Sequence, residues 1–432
     1  MNTPVWDFVQ NYVNQNPVRL HMPGHKGVGQ QEALDLTEVE GADVLYHAEG
    51  ILKQSMENAA AIFDTQKTVY STEGASLAIR AMVWLARVYG KKPVIAAARN
   101  AHSTFVTAAA LLDMQVDWLY GENLLSCTVT GDMLETYLQT HSVAAVYVTS
   151  PDYLGNVADI AALAAVCHRH DTLLLVDNAH GAYLRFLGRH PLQLGADLCC
   201  DSAHKTLPVL TGGAYLHIGK KAPAVFAQQA EKAMALFAST SPSYLILQSL
   251  DRANKYLALD MERELKEFIP QVEQLKKRLS GHGYCIAGDE PIKLTIAPKS
   301  YGYRGDQLAQ LLRQQNMICE FSDPDYLVLM VTPKNSAEEL LRLEQFLLGL
   351  PQKSAITETP PPMTRPKSVM SMHEAIMSPS RTVPVQEALG AVLAAPTVSC
   401  PPAIPVLVCG EIVDEAALAQ MRYYGIKELN II

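Results

Sequence analysis

The chain has 432 residues, 49% apolar and 18% charged, with a net charge of −9 at neutral pH. That balance excludes a disordered chain and argues against nucleic acid or an anionic membrane as the main partner. No apolar run reaches the ~20 residues needed to span a bilayer, and the N-terminus lacks a basic-then-apolar leader, so a soluble, cytoplasmic protein is expected.

In chain order, residues 1–55 carry Pro, Gly and His without periodicity (HMPGHKG, then TEVEGADVLYHAEG) and read as an arm. Residues 56–265 alternate between helical and short apolar stretches. Helical periodicity marks Ser55–Asp64 and Gly74–Val88; strand-like runs follow at Pro93–Ala98, Ala144–Thr149, Thr172–Val176, Asp197–Cys200 and Ala214–Ile218. Such alternation predicts an α/β domain with a mostly parallel sheet covered on both faces. Arg252–Leu279 reads as one long amphipathic helix leading out of it. Residues 266–350 mix both signals (IKLTIAP, YLVLMVTP, SAEELLRLEQFLLGL) and suggest a small α+β domain. Residues 351–368 are a Pro-rich linker, and 369–432 form a compact C-terminal domain around CPPAIPVLVCGE.

The eight cysteines include no CxxC and read as reduced, buried residues. No metal site is expected. His168 and His170 sit two apart on a helix and point to different faces, and His21 and His25 flank Pro23-Gly24 without helical spacing.

The chemistry gathers at strand ends. Lys205, in SAHK, follows the apolar run ending at Cys200. Asp177, in LLLVDNAHGAY, ends another. A desolvated amine there loses its proton readily and can form a Schiff base with an aldehyde. A carboxylate opposite a pyridinium nitrogen completes the working pair of a pyridoxal-phosphate enzyme. Ser71, Thr72, Glu73 and Gly74 stand at the mouth of a helix, which suits either a plain N-cap or a phosphate. Ser202 and His204 are further phosphate donors. His102, after the strand ending near Ala98, either stacks on a ring or caps the next helix. Asp152 and Tyr153 would line the same carboxyl edge, or make an ordinary turn.

Taken together these segments resemble the prokaryotic ornithine/lysine/arginine decarboxylases, pyridoxal-phosphate enzymes of the aspartate-aminotransferase-like type I fold. The likeness runs in order through HMPGHKG, LDLTEVEGADVL, STEGAS, RNAHS, SPDYLG, VDNAHGAY, GADLCCDSAHKTLPVLTG, STSPSYLILQSLD and PPAIP with CGE. It looks like the compact members without an N-terminal response-regulator-like domain. The resemblance implies a mostly parallel seven-stranded sheet and decarboxylation of arginine, lysine or ornithine to an amine and CO2 in polyamine metabolism. It implies that Lys205 binds the cofactor aldehyde, Asp177 pairs with the pyridine nitrogen, Ala179 packs under the ring and His102 stacks on its other face, with His180 nearby. Thr72, the Glu73 amide, Gly74, Ser202 and His204 would hold the phosphate. Ser239 and Ser241 would reach the phosphate of a neighbouring subunit, implying a homodimer or higher homo-oligomer with shared active sites. Lys205 or His180 would return the proton to Cα.

Five positions depart from the family pattern: Asn178, Tyr183, Ser103, Asp152 and Gly212 stand where Glu, His, Lys, Thr and Gln are common. Asp152 and Glu411 are candidates for a substrate's distal cation, although Asp152 reads rather as a solvated turn residue. An aminotransferase or lyase on the same fold, or a PLP-binding regulator without turnover, are the alternatives.

Overall fold

The computed structural model describes residues 1–90, 92–121, 124–362, 365–396 and 404–432. Pro401–Ala403 of the PPAIP motif lie outside the described residues. Strands β1 (Lys67–Ser71), β2 (Val94–Ala98), β3 (Gln115–Leu119), β4 (Ala145–Thr149), β5 (Leu173–Asp177), β6 (Leu198–Asp201) and β7 (Ala214–Ile218) form one seven-stranded sheet in the order β1-β7-β6-β5-β4-β2-β3. The expected α/β class with a mostly parallel sheet is what the chain adopts. No helix among the described residues is long and apolar enough to cross a membrane.

The chain forms two compact, discontinuous units: Met1–Lys92 with Glu135–Tyr147 and Ile160–Arg263, and Pro93–Leu134 with Val148–Asp159 and Glu264–Ile432.

In the first unit β7 runs antiparallel to both β1 and β6, while β5 and β6 are parallel. The register pairs Ser71 with Ala214, Asp201 with Tyr215, and Asp177 with Cys200. The chain therefore leaves β1, β5 and β6 at one edge, where Thr72, Asn178 and Ser202 follow. The Gly74–Tyr89 helix packs its apolar face on β6 and β7. The arm, read as irregular, opens with a helix at Pro4–Asn14, its proline in the first turn where no amide is needed. Asp251 Oδ2 caps that helix by accepting the Val5 and Trp6 amides at 3.0 Å. The expected single helix from Arg252 is two, Tyr244–Leu259 and Met261–His282, because Asp260 leaves helical geometry between them.

In the second unit β2 and β3 pair in parallel. A four-stranded antiparallel sheet joins β8 (Cys285–Ala287), β9 (Lys293–Ala297), β10 (Phe321–Ser322) and β11 (Leu327–Met330) in the order β10-β11-β9-β8. β12 (Arg381–Pro384) pairs with β13 (Glu428–Ile431) at the end of the chain.

Candidate active site

Asp177 ends β5 and is 2% exposed. Its Oδ2 accepts the Tyr147 hydroxyl at 3.1 Å, and its Oδ1 accepts the Ala179 amide at 3.1 Å and the Cys200 thiol at 3.5 Å. Burial, with the Asp177 charge, holds both the Tyr147 phenol and the Cys200 thiol well above their ordinary values, so both stay protonated donors. These three donors are neutral. A buried carboxylate is stabilised by a cationic partner, and a ligand bringing a protonated ring nitrogen supplies one. These residues therefore fit pyridoxal phosphate.

Lys205 lies on a one-turn helix, Ala203–Thr206, directly after β6. Its Nζ is 2.9 Å from His180 Nε2. An ammonium can donate along this contact only to an unprotonated imidazole nitrogen. His180 reaches this place because the turn after β5 closes with the Gly181 amide on the Asn178 carbonyl.

The Gly74 helix starts beside this edge. Gly74 has φ +72°, and its amide donates to the Gly212 carbonyl at 2.7 Å. The Glu73 amide donates to Ser71 Oγ at 3.1 Å, while the Glu73 carboxylate accepts the Ser239 amide at 2.7 Å. The Glu73 amide expected at a phosphate, and the Gly74 amide beside it, are thus engaged within the protein. Next in the first turn come Ala75 and Ser76, which the sequence reading did not single out although a helix N-terminus offers its first amides together. Ser202 is buried at the start of the Lys205 turn, whereas His204 directs both its amide and its Nδ1 to the Gly213 carbonyl at 3.1 Å. Ser239 and Ser241 are exposed, and the Ser241 amide donates to Ser239 Oγ.

Behind this edge lies a buried polar group absent from the sequence reading. Asp201 Oδ2 accepts from His190 Nε2 at 3.0 Å and His217 Nε2 at 3.3 Å, and its Oδ1 accepts from Asn178 Nδ2 at 2.6 Å. Burial alone raises a carboxyl, yet the two imidazoles outweigh it and hold Asp201 well below the usual range. His190, Cys199 and Asp201 offer ligand atoms within 4.8 Å of one another. The Leu192 amide donates to His190 Nδ1, which leaves the Nε2 hydrogen for Asp201 and makes this a hydrogen-bonded cluster.

Two departures acquire a local reason. Asn178 supplies the donor Asp201 requires. Gly212 has φ +98°, and a Cβ there would come within 2.8 Å of the Thr72 carbonyl, so a side chain would press on the turn before the Gly74 helix. Tyr183 is fully buried, and nothing in the structure explains Ser103.

His102, Asp152, Tyr153 and Glu411 belong to the second unit. His102 is the N-cap of the Ser103–Leu111 helix, its Nδ1 accepting the Thr104 amide at 3.1 Å. Asp152 is buried rather than solvated: Oδ1 accepts the Leu154 and Asn156 amides, and Oδ2 the Asn156 side chain. Tyr153 donates to Glu320 at 3.0 Å. Glu411 accepts from Arg99 Nη2 at 3.3 Å and from the Val408 amide at 2.7 Å. Arg99 also donates to the Pro405 and Val406 carbonyls.

Known proteins share this arrangement of chain. An arginine decarboxylase of Halalkalibacterium halodurans is 30% identical over 97% of this chain and 93% of its own length. One from Bacillus subtilis is 29% identical over 96% and 91%. A solved lysine decarboxylase of Francisella novicida superposes with a TM-score of 0.79 at 17% identity, covering 100% of this chain and 81% of its own. A constitutive lysine decarboxylase of E. coli gives 0.78 at 16%, over 100% and 82%. These two structures establish the fold. The sequence model of the major domain of Orn/Lys/Arg decarboxylases matches residues 3–289, two thirds of the chain, with Asp177 and Lys205 inside the match. The chain belongs to the Orn/Lys/Arg decarboxylase family.

Proposed function

We infer that this protein is a pyridoxal-phosphate-dependent decarboxylase of a basic amino acid, with arginine as the first substrate to test. The observation that carries the reading is Asp177, a buried carboxyl group that accepts from Tyr147, the Ala179 amide and Cys200 at the sheet edge from which Lys205 emerges. The choice of arginine rests on the curated relatives, which match nearly the whole chain.

Bound through Lys205, the cofactor supplies an electron sink for the bond broken at Cα. Asp177 keeps the ring nitrogen protonated, and Tyr147, the Ala179 amide and Cys200 fix the direction in which its carboxylate faces. His180 Nε2, 2.9 Å from Lys205 Nζ, would exchange a proton with that amine, and the pair would hold the proton to be delivered at Cα. Thr72, Ser202 and the first-turn amides of Ala75 and Ser76 hold the phosphate. Gly74 supplies the left-handed turn that opens that helix. His102 caps its own helix through Nδ1. We assign Asp152 and Glu411 to holding local structure, because both Asp152 oxygens are bonded within the protein and Glu411 Oε2 takes the Arg99 guanidinium and the Val408 amide. A cytoplasmic homodimer in which Ser239 and Ser241 reach the partner's cofactor phosphate is part of this reading, supported by the exposure of both serines.

Product analysis after incubation with arginine, lysine and ornithine tests it. An amine with CO2 supports the reading, and a keto acid overturns it.

A further inference from the structure

Asp177 and Cys200 are register partners on β5 and β6, and their side chains meet on one face of the sheet. Successive strand side chains point to opposite faces, so Asn178 and Asp201, one residue on, meet on the reverse face. Each also stands at the base of a turn. The Asn178 carbonyl accepts the Gly181 amide at 2.8 Å, closing the turn that carries Ala179 and His180. Ser202, directly after Asp201, accepts the Lys205 amide at 3.0 Å. A Cβ at Gly181 would come within 2.0 Å of Asn178 Oδ1, so the turn carrying His180 lies directly on the Asn178 side chain. Asp201 is itself held by His190 and His217, and none of these three side chains is exposed. His217 continues the row through its Nδ1, 2.8 Å from Thr68 Oγ1 on β1.

We propose that Asp201 is a positioning residue for the reaction, acting through Asn178 from the reverse face of the sheet. Its bond to the Asn178 amide holds the exit of β5 against the exit of β6, and so keeps His180 Nε2 at 2.9 Å from Lys205 Nζ. The two turns have no other side-chain tie at their bases, among the hydrogen bonds described above, than this one. A bond that served stability alone would leave the Lys205–His180 contact unchanged when cut, whereas a positioning bond changes that contact. The proposal rests on the reading of Lys205 as the residue that binds the cofactor.

The test follows the visible band of the lysine-bound cofactor as pyridoxal phosphate is added to the cofactor-free protein across a range of pH. The rate of band formation rises with pH as the amine of Lys205 loses its proton. An imidazole acceptor stabilises the ammonium, so an amine that has lost it is freed at lower pH. Asn178→Ala cuts the tie and leaves the charge of Asp201 in place. It is expected to lower the midpoint of the rate profile by about 0.5 pH unit or more. With the cofactor loaded, kcat should fall by about tenfold or more while KM moves less than about twofold. Asn178→Asp with Asp201→Asn rebuilds the bond in the opposite sense and should return midpoint and kcat to the native values. Should Asn178→Ala not fold, Gly181→Ala displaces the Asn178 amide and must give the same shift. An unmoved midpoint in a folded single variant overturns the proposal, and so does a double variant that regains its urea midpoint without regaining the rate profile. A native protein that forms no visible band removes the decarboxylase reading and this proposal with it; a native band with unmoved variants removes this proposal alone.

Discussion

Asn178 Nδ2 donates to Asp201 Oδ1 at 2.6 Å, so the residue after Asp177 is tied to the residue before Ser202. Asp177 and the Lys205 turn leave neighbouring parallel strands, and this buried bond joins the two exits one residue on. Asn178 Oδ1 has no partner of its own, so the donating end of the amide is what the position uses. A carboxylate at 178, which the family pattern favours, would meet the charge of Asp201.

Asn178→Asp should therefore destabilise the protein by about 3–5 kcal/mol, the cost of an uncompensated buried charge. Asn178→Asp with Asp201→Asn should recover most of the loss. Urea unfolding of the single and double variants checks this, and an unchanged midpoint in the single variant contradicts it.

Acid should weaken the fold through His217. Burial, outweighing the pull of Asp201, lowers its imidazole below the ordinary value. The unfolded ring takes its proton near pH ~6.5 and the folded ring only at lower pH, so below neutrality the unfolded chain binds more protons. Stability is then complete above about pH 6.5 and falls with pH at up to about 1.4 kcal/mol per unit. Asp201, held low in the fold, adds a further loss once the pH drops below about 4. Urea midpoints across this range should show a shallower slope for His217→Gln, and an equal slope contradicts the assignment.

Tyr147→Phe should leave Asp177 Oδ2 buried without its donor. The cofactor-free protein is expected to lose about 1–3 kcal/mol, with weaker cofactor uptake because the carboxylate is less firmly directed. Thermal unfolding and a cofactor titration read the two effects separately; a variant matching the native protein in both contradicts the role given to Tyr147.

Glu411→Gln should act on stability before it acts on substrate. Arg99 is 1% exposed, and losing its carboxylate partner leaves a buried guanidinium costing about 3–5 kcal/mol. A double-mutant cycle with Arg99→Met measures the pair. A raised KM with unchanged stability would instead restore Glu411 as a contact for the substrate's distal cation.

Asp177 and Lys205 were legible because each stands where an apolar run ends, and a parallel sheet brings such ends to one edge. Tyr147, His190, Asp201 and His217 were not. They meet only through strand order and register, which periodicity does not reveal. β1 was hidden because Lys67, Thr68 and Ser71 leave only Val69 and Tyr70 as an apolar run, and β3 by its partial exposure, which blurs the apolar signal. The engaged amides of Glu73 and Gly74 could not be foreseen either, because Ser71 Oγ and the Gly212 carbonyl take them through the shape of the turn. The break at Asp260 is a local backbone choice inside an otherwise continuous helical pattern.

Carboxyl-labelled arginine, supplied to the cofactor-loaded native protein and to Lys205→Ala, tests the central claim most directly. Labelled CO2 should appear with an equal amount of the amine, and the lysine variant should give neither and lack the visible band of the lysine-bound cofactor. Label retained in a keto acid, or CO2 released as fast by the variant as by the native protein, would contradict the account.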